Sequence, residues 1–103
     1  MRDILHSIGL AKAAGYLLSG EDTVRNAARG GKVRLVILSG DAGGSAVKRA
    51  NQAAELCGAR VVTLGCTKFE LGAALGLGTV AIAAITDAGF AKMLSGKIDR
   101  SQA

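Results

Sequence analysis

Apolar residues recur along this chain with two periods, which predict helices and strands in alternation. Near the amino terminus, Ile4, Ile8 and Ala11 follow the three- to four-residue spacing of a helix. Residues 33–39 instead form a nearly continuous run of apolar side chains, as in strands that are covered on both faces. A second such run, at 79–85, is far shorter than the roughly 20 residues that span a bilayer, so it also predicts a buried strand.

The remaining elements follow from start and stop signals between these runs. Thr67 and Glu70 have the spacing of a capping box, Gly58 suits the left-handed end of a helix, and Asp87 suits the start of one. The predicted order is a helix closed by Gly15, a helix between Ser19 and Gly30, a strand over 33–39, a helix over 45–57, a strand over 60–64, a short helix from 67 to 76, a strand over 79–85 and a last helix after 87.

This order predicts an α/β fold. A strand, a helix and a strand in succession make a parallel pair with a right-handed crossover. We therefore expect a three-layer α/β/α sandwich around a small mixed, mostly parallel sheet. The helix over 45–57 is expected to turn Val47 and Ala50 inward. The 103 residues, half of them apolar, suit a single domain, 1–103, whose polar tail at 97–103 is expected to fray.

The charge and the cysteine and histidine content restrict which classes of function the chain can have. The formal charge of +5 favours polyanions over neutral or acidic partners. Cys57, Cys66 and the single histidine, His6, do not have zinc-site spacing, so we expect free thiols and neither a metal nor a cofactor. His6 has no obvious nucleophile partner, which argues against an enzyme. The amino terminus does not continue as the apolar run of a secretory signal, and this indicates a cytoplasmic protein without a membrane partner.

The positive charge is clustered. Between Asp22 and Asp41 the chain has four basic residues and no acidic one. Two of them, Arg25 and Arg29, stand four residues apart, so on a helix they share a face and repel each other at a cost of about 0.2 to 0.5 kcal/mol. An anionic partner would remove this repulsion, so the cluster raises the odds of nucleic-acid binding.

Five short segments in this order resemble a known family. They are residues 19–25, residues 32–38, Asp41, residues 70–72 and residues 86–90. In this combination the chain resembles the kink-turn RNA-binding family of large-subunit ribosomal proteins seven-Ae and thirty-e, most closely its bacterial YlxQ type. The resemblance covers nearly the whole chain and implies an α/β sandwich that binds structured RNA.

The resemblance also implies where the RNA would bind. In the family, a glycine, two polar residues and a lysine open the second helix, and the matching positions here are Gly20, Glu21, Asp22 and Arg25. A second contact, a loop whose apolar side chains pack against exposed bases, falls by resemblance at 77–79. The expected RNA-binding residues are Gly20, Glu21, Asp22, Arg25, Arg29, Lys32, Leu77, Gly78 and Thr79.

This chain departs from the family pattern at its acidic residues. Glu21 stands where an asparagine is common, and Asp22 is one methylene shorter than the usual glutamate. Two carboxylates facing RNA raise the electrostatic cost of binding, so an altered motif or a weaker affinity is expected.

The resemblance implies that the protein is monomeric and non-enzymatic. It would bind ribosomal or other noncoding RNA and contact ribosomal or RNA-processing proteins. The aromatic residues Tyr16, Phe69 and Phe90 are expected in the core, so recognition should depend on shape and backbone charge rather than stacking.

Other interpretations remain open. Ser19 and Asp22 have the spacing of an ordinary capping pair, and Arg25 can pair with either acidic neighbour. Leu77 suits a core position as well as a base wedge. The loop at 40–45 is a candidate nucleotide or anion site, although it lacks the P-loop lysine. A protein-interaction adaptor on the same fold is the other alternative.

Overall fold

Helices and strands alternate along residues 1–102, which are the residues described by the computed structural model. The elements are α1 (Arg2–Ala13), β1 (Leu17–Ser19), α2 (Glu21–Arg29), β2 (Leu35–Leu38), α3 (Gly44–Cys57), β3 (Arg60–Thr63), α4 (Lys68–Ala74), β4 (Ile82–Ile85) and α5 (Ala88–Gln102). The predicted alternation is confirmed, with one addition, the short strand β1, which was not among the predicted elements.

The strands form a mixed sheet in the order β1-β4-β2-β3. The predicted parallel pair of β2 and β3 is confirmed, with Val36 opposite Val61. β4, however, runs antiparallel to β2 and to β1 on its other side. The sheet is therefore mixed, as expected, but the expectation of a mostly parallel sheet is wrong.

The antiparallel return of β4 follows from the shortness of α4. Seven residues of helix rise only about 10 Å. Val80 N then donates to Lys68 O at 3.0 Å, so the chain returns after α4 to the place where the helix began. The first residue of β4 and the last of β3 consequently lie beside the same residue, Leu38. If β4 were parallel to β2, the connection from β3 would have to run back along the full length of the strands before β4 could begin.

Helices cover both faces of the sheet, which confirms the three-layer sandwich. Alternate residues of β2 point to opposite faces, so Leu35 and Ile37 pack with α1, α4 and α5, whereas Val36 and Leu38 pack with α2 and α3. The buried side of α3 consists of alanines, Ala50 among them. Val47 was expected there but is exposed, because the buried stripe begins one residue earlier, at Ala46.

The predicted helix ends are formed as expected. Thr67 and Glu70 make both hydrogen bonds of a capping box, Glu70 N to Thr67 Oγ1 at 3.1 Å and Thr67 N to Glu70 Oε1 at 2.9 Å. Gly58 ends α3 with a left-handed φ of 62°. Phe90 N donates to Asp87 Oδ2 at 2.9 Å at the start of α5.

The carboxyl-terminal residues form the end of α5. α5 continues through Gly96 to Gln102, where the sequence predicted a frayed tail at 97–103, and residue 103 lies outside the described residues. Ile98 is buried in the core. On its two sides, Arg60 forms a 2.6 Å ion pair with Asp99, and Lys97 Nζ donates to Ser7 Oγ at 2.9 Å. These contacts offset the entropy that favours fraying.

The cysteines and the helix lengths are relevant to the expectations of free thiols and of no membrane partner. Both cysteines are free thiols, and burial raises the pKa of the Cys66 thiol. Among residues 1–102, none of the helices has the length and apolar character needed to cross a membrane.

Candidate nucleic-acid interface

The start of α2 depends on Gly20. Its φ of 96° and ψ of 149° are rarely adopted by residues with a Cβ, and they let Gly20 N donate to Ile82 O at 3.0 Å while Gly20 O accepts from Val24 N. Within the described chain, no side chain caps this helix start. The predicted capping pair of Ser19 and Asp22 is therefore wrong, because glycine occupies the cap position.

A cleft of about 570 Å³ lies between the start of α2 and the loop that follows α4. We call it the α2 cleft. Its lining includes Gly20, Glu21, Lys68, Leu77, Gly78 and Thr79. The two halves of the site predicted from sequence are some 56 residues apart in the chain, and the fold brings them to one cleft because β1, which leads into α2, pairs with β4, which follows the loop.

The 77–79 loop is held rigidly against α4. Leu77 N donates to Gly72 O at 2.8 Å, and Gly72 leaves no room for a side chain, since a Cβ there would lie 2.8 Å from Gly78 C and 3.0 Å from Thr79 Cα. Leu77 is 41% exposed. The alternative that Leu77 fills the core is therefore wrong, and its side chain is available at the cleft.

The two acidic residues at the start of α2 have different surroundings. Glu21 is half-buried, and its Oε1 accepts from Ser45 Oγ of α3 at 2.7 Å. Asp22 is 82% exposed and lies 3.4 Å from the Arg25 guanidinium. Arg25 could pair with Glu21 or with Asp22, and in the structure it pairs with Asp22. Glu21 is thus the oriented carboxylate at the cleft, whereas Asp22 is an exposed carboxylate in a surface ion pair with Arg25.

Arg25 and Arg29 do not line the α2 cleft. They lie along a second depression of about 390 Å³ between α2 and α3, which we call the arginine groove. Its lining is Arg25, Ala28, Arg29, Arg49, Gln52, Ala53, Glu55 and Leu56. Lys32, in the turn after α2, is exposed and belongs to neither lining. The predicted site therefore separates into a cleft at the start of α2 and a groove further along the same helix.

Two side chains of the arginine groove carry an unsatisfied donor. Nε of Arg25 and Nε of Arg49 are buried, and neither has a hydrogen-bond partner within residues 1–102. Leaving a buried N–H without an acceptor costs about 1 to 3 kcal/mol. An oxyanion that turned these side chains outward and accepted a hydrogen bond from Nε would remove that cost.

Sequence reasoning missed three residues beside these sites. Lys68 lines the α2 cleft, and Arg49 lines the arginine groove; neither was among the predicted RNA-binding residues. Phe69 was expected in the core but is 62% exposed, with Lys68 Nζ 5.8 Å from its ring centroid. The capping box contains the missed signal, because it places 68 and 69 in the first turn, ahead of the first inward residue, Leu71.

The loop at 40–45 has a structural role. Asp41 Oδ1 accepts from Lys68 N at 2.8 Å, and Gly40 N donates to Cys66 O at 2.7 Å, so the loop ties the end of β2 to the start of α4. The nearby Ser39 hydroxyl and the Lys68 amide lower the pKa of Asp41, although only the amide contact has full hydrogen-bond geometry. An ionised Asp41 would repel phosphate, which argues against the nucleotide alternative.

In the described part of the chain, no three His, Cys, Asp or Glu side chains are grouped so that they could hold a metal ion. Comparison with protein-family models gave no match. Comparison with curated proteins gave none either.

Comparison with solved structures was informative. A protein with unknown function from Bacillus halodurans C superposes with a TM-score of 0.78 at 36% identity, over 93% of this chain and 96% of that one. The Giardia lamblia 15.5kD RNA binding protein superposes with a TM-score of 0.71 at 20% identity, over 93% and 84% of the two chains. The fold expected from the resemblance is thus confirmed, and this chain belongs to the same family as the Bacillus halodurans protein.

Proposed function

We propose that this chain is a non-enzymatic RNA-binding protein that recognises a structured RNA of the kink-turn type through the α2 cleft. The observation that carries the proposal is the meeting of Gly20 and Glu21 with Leu77, Gly78 and Thr79 in one cleft. The shared fold with the Giardia lamblia protein, whose description includes RNA binding, supports it.

The residues of the α2 cleft suit an RNA with unpaired or unusually paired bases. A carboxylate only accepts hydrogen bonds, so Glu21, oriented by Ser45, matches the imino and amino groups of a guanine edge. Leu77 offers an exposed apolar surface to a base that is turned out of its stack. Lys68 supplies a positive charge at the same cleft, and Gly20 allows the RNA to approach the backbone.

The departures from the family pattern cost less than the sequence indicates. Two carboxylates near RNA were expected to weaken binding, but Asp22 has the Arg25 guanidinium 3.4 Å away and does not line the α2 cleft. Glu21 remains, with Lys68 in the same lining. We infer that the interface keeps a favourable potential towards RNA despite its acidic residues.

We also propose a biological setting for the protein. The basic charge and the resemblance to the YlxQ type favour a cytoplasmic protein that acts on ribosomal or other noncoding RNA. Because a fold does not fix a function, binding has to be measured directly.

The test uses a kink-turn RNA and the same RNA with its tandem G·A pairs replaced by Watson-Crick pairs, at near-physiological salt. We expect tight binding to the first and a loss of at least tenfold for the second. Leu77→Ala should weaken binding, whereas Leu10→Ala removes a comparably exposed leucine, 49% against 41%, from α1 and should not. Equal binding to both RNAs would exclude kink-turn recognition, and absent binding to both would exclude the proposal and favour the protein-interaction adaptor.

A further inference from the structure

The arginine groove is formed where α2 and α3 pack closely. Ala28 of α2 and Ala53 of α3 both line the groove and are buried, so the two helices contribute small side chains to it. The longer side chains of Arg25, Arg29 and Arg49 surround the depression above them. The result is a basic surface with an apolar base, contributed by two helices.

The guanidinium groups are incompletely neutralised. Glu55 supplies the one carboxylate of the lining, against three arginines. Arg25 has the exposed Asp22 at 3.4 Å, and the polar contact of Arg49 is a 3.4 Å hydrogen bond from Nη1 to the neutral Gln52. The groove therefore keeps a net positive charge.

The chemistry of these groups fits an oxyanion. A guanidinium presents a planar fork of donors that matches the oxygens of a phosphate or carboxylate. Nε of Arg25 and Nε of Arg49, unpartnered within the described chain, are available to such a ligand if the side chains turn outward. Glu21 precedes Arg25 by one turn, about 6 Å along α2, so a strand that leaves the α2 cleft can reach the groove.

We infer that the arginine groove binds a backbone phosphate of the RNA held in the α2 cleft, with Arg49 contributing from α3. This inference rests on the proposed function. It enlarges the binding surface from the start of α2 to its whole length and adds a second helix to it.

The test compares Arg49→Ala with Lys48→Ala, which removes the same charge from the next residue of α3 without touching the groove lining. Affinity for the kink-turn RNA is measured across a salt series. One phosphate contact has a salt slope of about 0.7 to 0.9, which corresponds to roughly four- to sixfold in affinity between 1 M and 0.15 M salt. We expect Arg49→Ala to lose this factor and this slope, and Lys48→Ala to lose less than twofold.

Arg49→Lys separates charge from geometry. It keeps the positive charge but lacks the guanidinium fork, so it should retain most of the salt slope while binding more weakly than the wild type. Thermal unfolding of each variant shows whether the fold is intact.

The outcomes distinguish this inference from the proposed function. Wild-type binding to the kink-turn RNA with equal effects of Arg49→Ala and Lys48→Ala, or with no effect of either, overturns the groove and leaves the α2 cleft standing; an acidic protein segment would then be the better occupant. No wild-type binding overturns both.

Discussion

Gly72→Ala tests whether the 77–79 loop is set by its contact with α4. An alanine Cβ would lie 2.8 Å from Gly78 C and 3.0 Å from Thr79 Cα, both backbone atoms that cannot rotate away. Crowding of this kind costs about 2 to 3 kcal/mol when backbone has to move. Alanine in a helix regains about 1 kcal/mol over glycine. The net expectation is a loss of about 1 to 2 kcal/mol, or a decrease of roughly 4 to 16 °C in Tm for a domain of this size.

Gly96→Ala is the matched control. Gly96 lies inside α5, where a Cβ would meet only the end of the flexible Arg100 side chain at 3.4 Å. The same substitution should therefore raise Tm by a few degrees, because the helical gain is not opposed by crowding. Thermal unfolding by circular dichroism measures both variants under identical conditions.

The RNA affinity of the same two variants provides a second test. Since relief of the crowding must displace Gly78 and Thr79, Gly72→Ala should also weaken binding to the kink-turn RNA, and Gly96→Ala should not. If Gly72→Ala instead raised Tm as much as the control and bound RNA normally, the loop would not be set by this contact and the reasoning would be wrong.

The remaining predictions concern the other parts of the interface and the end of the chain. Gly20→Ala forces a side chain into a φ of 96° and should cost about 1 to 3 kcal/mol in chemical unfolding; an unchanged denaturation midpoint would contradict this. Glu55→Gln removes the carboxylate from the arginine groove and should strengthen RNA binding by roughly two- to fivefold, in a manner that high salt abolishes. Arg60 lowers the pKa of Asp99 by donating hydrogen bonds to it, so the stability from this pair is present at neutral pH and is lost as the pH falls. Asp99→Asn should accordingly lower Tm at pH 7, and its difference from the wild type should close as the pH falls below about 4; a difference that persisted in acid would exclude the ion pair as its cause.

The fold was largely predictable because its local signals agree with its tertiary structure. The capping box at Thr67 and the left-handed Gly58 are decided by neighbouring residues, and the structure contains both. Strand direction was not predictable in the same way. β4 is antiparallel because α4 and the loop after it together begin and end near Lys68, where Val80 N, twelve residues further along, donates a hydrogen bond to Lys68 O.

Sequence reasoning identified part of the lining of the candidate site but not the arrangement of its residues. The resemblance identified Gly20 and Leu77, and the fold brings both to one cleft. Helical spacing showed that Arg25 and Arg29 share a face, but it could not show that this face meets α3. Arg49 was missed for the same reason, because a single helix gives no sign of which neighbour its charged side chain will face.

The arrangement of charge around α2 explains how an acidic helix start can belong to a basic interface. Acidic residues in the first turn complement the helix dipole, and here they are further committed, Glu21 to Ser45 and Asp22 to Arg25. The arginines that follow are left with a single carboxylate, Glu55, in their shared groove. Positive charge is therefore available along the side of α2, while its start offers an oriented acceptor. A ligand that satisfies both must present donors and phosphates a few ångströms apart, as the base edges and the backbone of a folded RNA do.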